Sequence, residues 1–211
     1  MREFRSVPMA KSALVFITEK YNRNSIAALC GAIEQDGRFA DLAVSFVDGR
    51  GAAAHLQPLL RKYAQVVTAF SLCTPNLREV AGVLETLGRS LSTAERNRLR
   101  LVAGGPHRSG DPEGTLDLGF ECVVVGEDTF PELLGRMATG TGYSDVSGTA
   151  NMEAGACRYT GRGEPVNLDR MSPFSARHRR FGPMEITRGC PWTCRYCQTP
   201  YPSARSGGIA R

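Results

Sequence analysis

Short apolar runs alternate with amphipathic stretches along most of this chain. Ala13-Leu14-Val15-Phe16-Ile17 is continuous and apolar, the mark of a strand buried on both faces. After a polar turn, Ile26, Leu29, Cys30 and Ile33 recur at i, i+3, i+4 and i+7, which predicts a helix entered through Asn24 and Ser25 as caps. The alternation repeats with a strand over 42–47, a helix turning Leu56, Leu59, Leu60 and Tyr63 inward, a strand over 66–70, and a helix turning Leu77, Val80, Ala81 and Leu84 inward. It continues with a strand over 99–103, a short helix capped by Asp111-Pro112, a strand over 122–125 and a helix over 129–137. Five strands alternating with five helices predict right-handed crossovers and an α/β fold, a doubly wound five-stranded parallel sheet over residues 1–138.

Beyond it the composition turns to Gly, Thr and Ser from Thr139 to Asn151, which reads as a linker over 139–182. A small hairpin is expected there, 156–160 against 164–166 around Gly161 and Gly163. Residues 183–187 read as a further strand, opening a third segment over 183–211.

In such a sheet the ligand belongs at the carboxyl ends of the strands, near the point where strand order reverses. The first strand runs into Thr18-Glu19-Lys20-Tyr21-Asn22-Arg23 with no G-x-G-x-x-G, so dinucleotide binding is poorly supported. The third ends in Ser71-Leu72-Cys73-Thr74-Pro75-Asn76, the fourth in Gly104-Gly105-Pro106-His107, and the fifth in Gly126-Glu127-Asp128. Small residues and hydroxyls at three neighbouring strand ends let a large flat or polar ligand approach the backbone. Tight strand-to-helix turns alone explain Gly104 and Gly105 equally well.

The chain has 211 residues, 42% of them hydrophobic and 22% charged, as in ordinary soluble domains. No apolar run approaches the roughly 20 residues of a membrane span, and the N-terminal apolar patch is too short for a signal peptide; a cytoplasmic location is the default expectation. The net charge of +5 is uneven: from Arg170 onward there are eight Arg against one acid, +7, which leaves 18 basic and 20 acidic groups, −2, before it. Arg177-His178-Arg179-Arg180 lacks the interleaved aromatics and helical stripe of a nucleic-acid surface, and solvation or anionic cofactor groups account for it as well.

Of seven cysteines, Cys30, Cys73, Cys122 and Cys157 are scattered and read mainly as small hydrophobes, while Cys190, Cys194 and Cys197 crowd into C-x3-C-x2-C beside Gly189 and Pro191. Structural zinc usually takes two close ligand pairs, and no fourth Cys or His follows this triplet. Three thiolates on a four-iron cluster leave one iron open for substrate or cofactor. Ordinary thiols, or zinc recruiting Cys157 or His178 from upstream, remain the other readings.

The triplet, with aromatic Tyr196 before its third cysteine, resembles the signature of the radical S-adenosylmethionine (SAM) superfamily. The resemblance implies that Cys190, Cys194 and Cys197 ligate a [4Fe-4S] cluster, that SAM chelates its open iron, and that Tyr196 packs near the adenine. Phe70-Ser71 with Thr74-Pro75, then Ala103-Gly104-Gly105-Pro106-His107, then Val124-Val125-Gly126-Glu127 with Phe130-Pro131-Glu132-Leu133-Leu134 resemble the Rossmann-like cobalamin-binding domain that precedes the barrel in one subgroup. It implies a corrin held by Ser71, Thr74, Gly104, Gly105, His107, Gly126 and Glu127. No D-x-H-x-x-G follows the first strand, so cobalt is expected without a histidine beneath it, and His107 is read as lining the corrin site.

The resemblance thus implies reductive cleavage of SAM, with methyl transfer to an unactivated carbon in methylating members, and an electron donor such as flavodoxin or ferredoxin. The residues that would contact a small-molecule substrate are not in the sequence, nor are the second-strand Gly-Gly-Glu and further βα units of a barrel, which reads as a truncated, inactive form of a radical SAM enzyme. A cobalamin-binding module without catalysis and a zinc-stabilised RNA-binding protein are the competing expectations.

Overall fold

A computed structural model describes residues 11–125, 129–161, 163 and 167–183. In chain order these form β1 (Ser12–Ile17), α1 (Arg23–Gln35), β2 (Ala43–Val47), α2 (Ala52–Lys62), β3 (Gln65–Ser71), α3 (Leu77–Ser90), α4 (Thr93–Arg98) and β4 (Leu99–Gly104). There follow α5 (Pro106–Gly110), α6 (Pro112–Asp117), β5 (Cys122–Val124), α7 (Thr129–Thr139), β6 (Thr149–Glu153) and β7 (Ala156–Tyr159).

Every residue of β1 is buried, because it is sandwiched between two layers. On one face Ala13, Val15 and Ile17 join Val66 and Phe70 of β3 and pack against Leu56 and Leu60 of α2 and Val80 and Leu87 of α3. On the other, Leu14 and Phe16 meet Ile26, Cys30 and Ile33 of α1 and Leu133, Leu134 and Met137 of α7. Burying each such aliphatic or aromatic side chain contributes about 1.5–3 kcal/mol, so this short run anchors both cores.

The sheet has seven strands in the order β2-β1-β3-β4-β5-β6-β7. The contacts from β2 to β5 are parallel, as the alternating pattern predicts, but β6 and β7 join antiparallel. The sheet is therefore mixed and two strands wider than expected. β6 falls wholly in the stretch read as linker: Thr149 and Ala150 are small enough to be buried against β5, and the Thr149 hydroxyl is satisfied by the Val146 carbonyl at 2.7 Å. The hairpin partner of Ala156–Tyr159 is Thr149–Glu153, through a turn at Ala154 and Gly155 with φ of 51° and 83°; residues 164–166 lie outside the described residues. These two left-handed positions suit the primed turns of twisted hairpins.

Helix starts differ locally from expectation. α1 begins at Arg23, so Asn24 and Ser25 stand inside its first turn. Asp111 does cap α6, accepting from the Gly114 amide at 2.9 Å with Pro112 at the first helical position. Ser92 and Glu95 form a reciprocal capping box on α4 that the hydrophobic pattern did not reveal. Among the described residues no helix is long and apolar enough to cross a membrane.

Candidate functional site: the carboxyl ends of β1, β3 and β4

Strand order reverses between β1 and β3, since β2 lies to one side of β1 and β4 and β5 beyond β3. Both strands leave the sheet through the same local device. After β1, the Asn22 side chain accepts from the Glu19 amide at 2.8 Å and donates to the Ile17 carbonyl at 2.9 Å. After β3, Asn76 accepts from the Cys73 amide at 3.0 Å. An asparagine that satisfies the backbone of such a turn fixes a 3-10 turn at Lys20–Asn22 and another at Thr74–Asn76.

Tyr21 joins the two. Its hydroxyl donates to the Ser71 carbonyl at 3.0 Å and accepts from the Asn76 side-chain Nδ2. A small cleft opens beside this contact, lined by Ile17, Glu19, Tyr21, Phe70, Asn76 and Glu79 among others. Burial first, then the charges of Glu79 and Asp48, raises the Glu19 carboxyl above its ordinary range.

The ends of β3 and β4 are stitched backbone to backbone. The Leu72 amide donates to the Gly104 carbonyl at 2.6 Å, and the His107 amide to the Leu72 carbonyl at 3.0 Å. Gly105 lies between them with φ 98°, and a β-carbon there would stand 2.6 Å from the Leu72 amide nitrogen and carbonyl oxygen and 2.8 Å from the Ser71 hydroxyl. Only glycine fits that conformation and that gap. The His107 imidazole Nδ1 is 3.0 Å from the Thr74 hydroxyl, tying the turn after β4 to the turn after β3.

Ser71, Thr74, Gly104, Gly105 and His107 are thus gathered on one rim, while Gly126, Glu127, Tyr196 and the triplet Cys190, Cys194 and Cys197 lie outside the described residues. Sequence reasoning missed Tyr21, Asn22 and Asn76. Their signal was an asparagine at the fifth position after the last residue of both β1 and β3.

Of the scattered cysteines, Cys30 and Cys122 are buried in the core, whereas Cys73 and Cys157 are half-buried. Burial pushes the Cys30 thiol up to about 12 and raises Cys122 further. Cys157 lies on β7, whereas His178 stands edge-on to Phe46 of β2, its ring 6.1 Å away. Those strands are opposite edges of the sheet, roughly 25 Å or more apart at ordinary strand spacing, so at most one of Cys157 and His178 could serve as the fourth ligand of a given zinc site, and the triplet it would join lies outside the described residues. Among the described residues no cluster of three or more His, Cys, Asp or Glu could hold a metal ion.

No protein-family model matches the sequence, and no curated protein matches it significantly. Solved structures do. The radical SAM methyltransferase TsrM from Kitasatospora setae, with tryptophan substrate and a SAM analog bound, superposes with a TM-score of 0.63 at 16% identity over 90% of this chain. A second TsrM structure, with cobalamin and a [4Fe-4S] cluster bound, gives 0.59 at 15% identity over 91%. Likeness at that identity establishes a shared fold. The chain spans only 41–42% of those TsrM chains.

Proposed function

We propose that this chain is the corrin-holding portion and the start of the SAM-cleaving portion of a cobalamin-dependent radical SAM enzyme, which uses the reductive chemistry of a [4Fe-4S] cluster and transfers a methyl group to a small-molecule substrate. The observation that carries the reading is the rim on which Ser71, Thr74, Gly105 and His107 are locked at adjoining strand ends, beside the switch point, in a fold shared with TsrM.

The rim's chemistry fits a corrin. A corrin's periphery carries amides, which both donate and accept, and the rim offers hydroxyls at Ser71, Thr74 and Tyr21, an imidazole at His107 and close backbone at Gly104 and Gly105. When bound, the corrin supplies a methyl carrier. The chain's own residues hold the flat ligand against the strand ends, while Phe70 and Ile17 keep the adjoining wall apolar. His107 is held to Thr74 through Nδ1, which fixes the orientation of its ring for a lining role.

In this reading Cys190, Cys194 and Cys197 ligate the cluster, Tyr196 packs on SAM, Gly126 and Glu127 complete the corrin rim, and a flavodoxin or ferredoxin supplies electrons. Anaerobic reconstitution with iron, sulfide and hydroxocobalamin, followed by absorbance and metal counting, tests it. A brown protein with bound corrin is expected. Corrin without acid-labile sulfide would leave a binding module, and stoichiometric zinc without corrin would overturn the proposal.

A further inference from the structure

The segment 171–183 crosses α1 as a strap held by several independent contacts. The Ser172 amide donates to the Gln35 side chain at 2.9 Å, and the Arg177 amide to both Glu34 carboxylate oxygens at 3.0 and 3.1 Å. The Ser175 hydroxyl donates to Glu34 and accepts from the His178 amide at 3.1 Å. Ser175 and Arg180 exchange backbone hydrogen bonds at 3.0 and 2.9 Å, closing a tight loop whose Arg180 guanidinium lies 3.7 Å over the Phe46 ring. Beneath the strap is Gly31, where a β-carbon would meet the Ser172 and Phe174 carbonyl oxygens, both at 2.6 Å.

The direction of the strap matters. It starts at Gln35 and Glu34, at the end of α1, and reaches Asn24 at its beginning, where a β-carbon on Gly182 would lie 2.8 Å from the Asn24 side-chain oxygen. It therefore travels antiparallel to α1, about 16 Å along the helix axis at 1.5 Å per residue. The beginning of α1 follows the carboxyl end of β1, and Tyr21 in the joining turn touches Ser71 and Asn76. The chain is thus delivered at Pro183 to the rim side of the sheet. Cys190 follows seven residues later, within about 25 Å of extended chain.

We propose that Gly31, Glu34 and Gln35 form a docking track on α1 that fixes the register and direction of the strap, so that the chain beyond Pro183 sets out from the rim side of the sheet. This rests on the corrin and cluster reading for its purpose, though not for its geometry. Gly31, Glu34 and Gln35 are positioning residues, acting through the strap rather than on any reacting atom.

Native thiols provide the test. Cys73 sits at the β3 rim, Cys30 and Cys122 are buried, and Cys157 lies at the far edge, removable as Cys157→Ser. In the full chain without cluster, a short bis-maleimide should join Cys73 to one cysteine of the triplet, as read by peptide mass spectrometry. Gly31→Ala favours helix while denying the strap its seat, and Glu34→Ala removes the shared acceptor. Each should cut that cross-link roughly tenfold, as a lost tether lowers effective concentration, and speed amide exchange at Ser172 and Arg177, with unfolding of the sheet unchanged. Glu34→Gln, which keeps an acceptor oxygen, should restore part of the yield. Absence of the Cys73 cross-link in the wild-type chain, or its persistence in Gly31→Ala with the strap amides exposed, overturns the proposal. Failure to bind corrin or iron would instead sink the functional reading while leaving this result intact.

Discussion

The Tyr21 hydroxyl donates to the Ser71 carbonyl at 3.0 Å, so the turn that follows β1 is bound to the last residue of β3 across the switch point. The Asn76 side chain donates to the same phenol. One oxygen thereby bridges two strand ends and sets one wall of the cleft. Tyr21→Phe leaves the ring and removes that bridge. A loss of about 1 kcal/mol is expected, read as a fall in Tm of about 2–4 °C in a chain of this size. An unchanged melt would show that the bridge is satisfied equally by water.

Gly105 tolerates less. With φ at 98° and Leu72 backbone atoms 2.6 Å from any β-carbon, Gly105→Ala must both strain the backbone and part β4 from the turn after β3. A destabilisation above about 2 kcal/mol is expected from the two together. Denaturant titration measures it, and an alanine variant as stable as the parent would contradict the stitched rim.

Thr68 points the other way. It is fully buried at the centre of β3, and its hydroxyl has no partner among the described residues. An unsatisfied buried hydroxyl is a liability that the isosteric Val lacks, so Thr68→Val should stabilise by about 1 kcal/mol. Thermal unfolding of the single variant decides the sign.

The strap should release in acid. Glu34 is held below the ordinary carboxylate range first by the Ser175 hydroxyl, then by the Arg177 amide and the charges of His178 and Arg177. A depressed carboxylate contributes stability above its unfolded pKa that is lost as pH falls through the folded value. Burial, then the Arg177 charge, depresses His178, with Arg180 adding to it and Glu34 opposing it. The released strap takes up that proton more readily, so acid again favours release. The protection of the Ser172 and Arg177 amides, referred to intrinsic exchange at each pH, should therefore fall below the usual histidine range and further as Glu34 protonates. The Glu34→Ala variant should lack the lower step.

Much of this architecture was written in local patterns. A run such as Ala13 to Ile17 can be buried only between two layers, and the period of Ile26, Cys30 and Ile33 turns one helical face to the sheet, so five strands and the rim after β3 and β4 could be read without coordinates. Asp111-Pro112 announced its helix because a cap acts within one turn. β6 escaped because Thr149 and Ala150 carry no hydrophobic alternation; pairing with β5, a contact distant in sequence, is what buries them. The Tyr21 bridge to Ser71, the seat that Gly31 gives Ser172 and Phe174, and the separation of Cys157 from His178 were likewise decided only in three dimensions. Periodicity and turn chemistry are properties of neighbours along the chain, whereas which turns meet, and which glycine must yield to a crossing backbone, depends on how the finished layers are stacked.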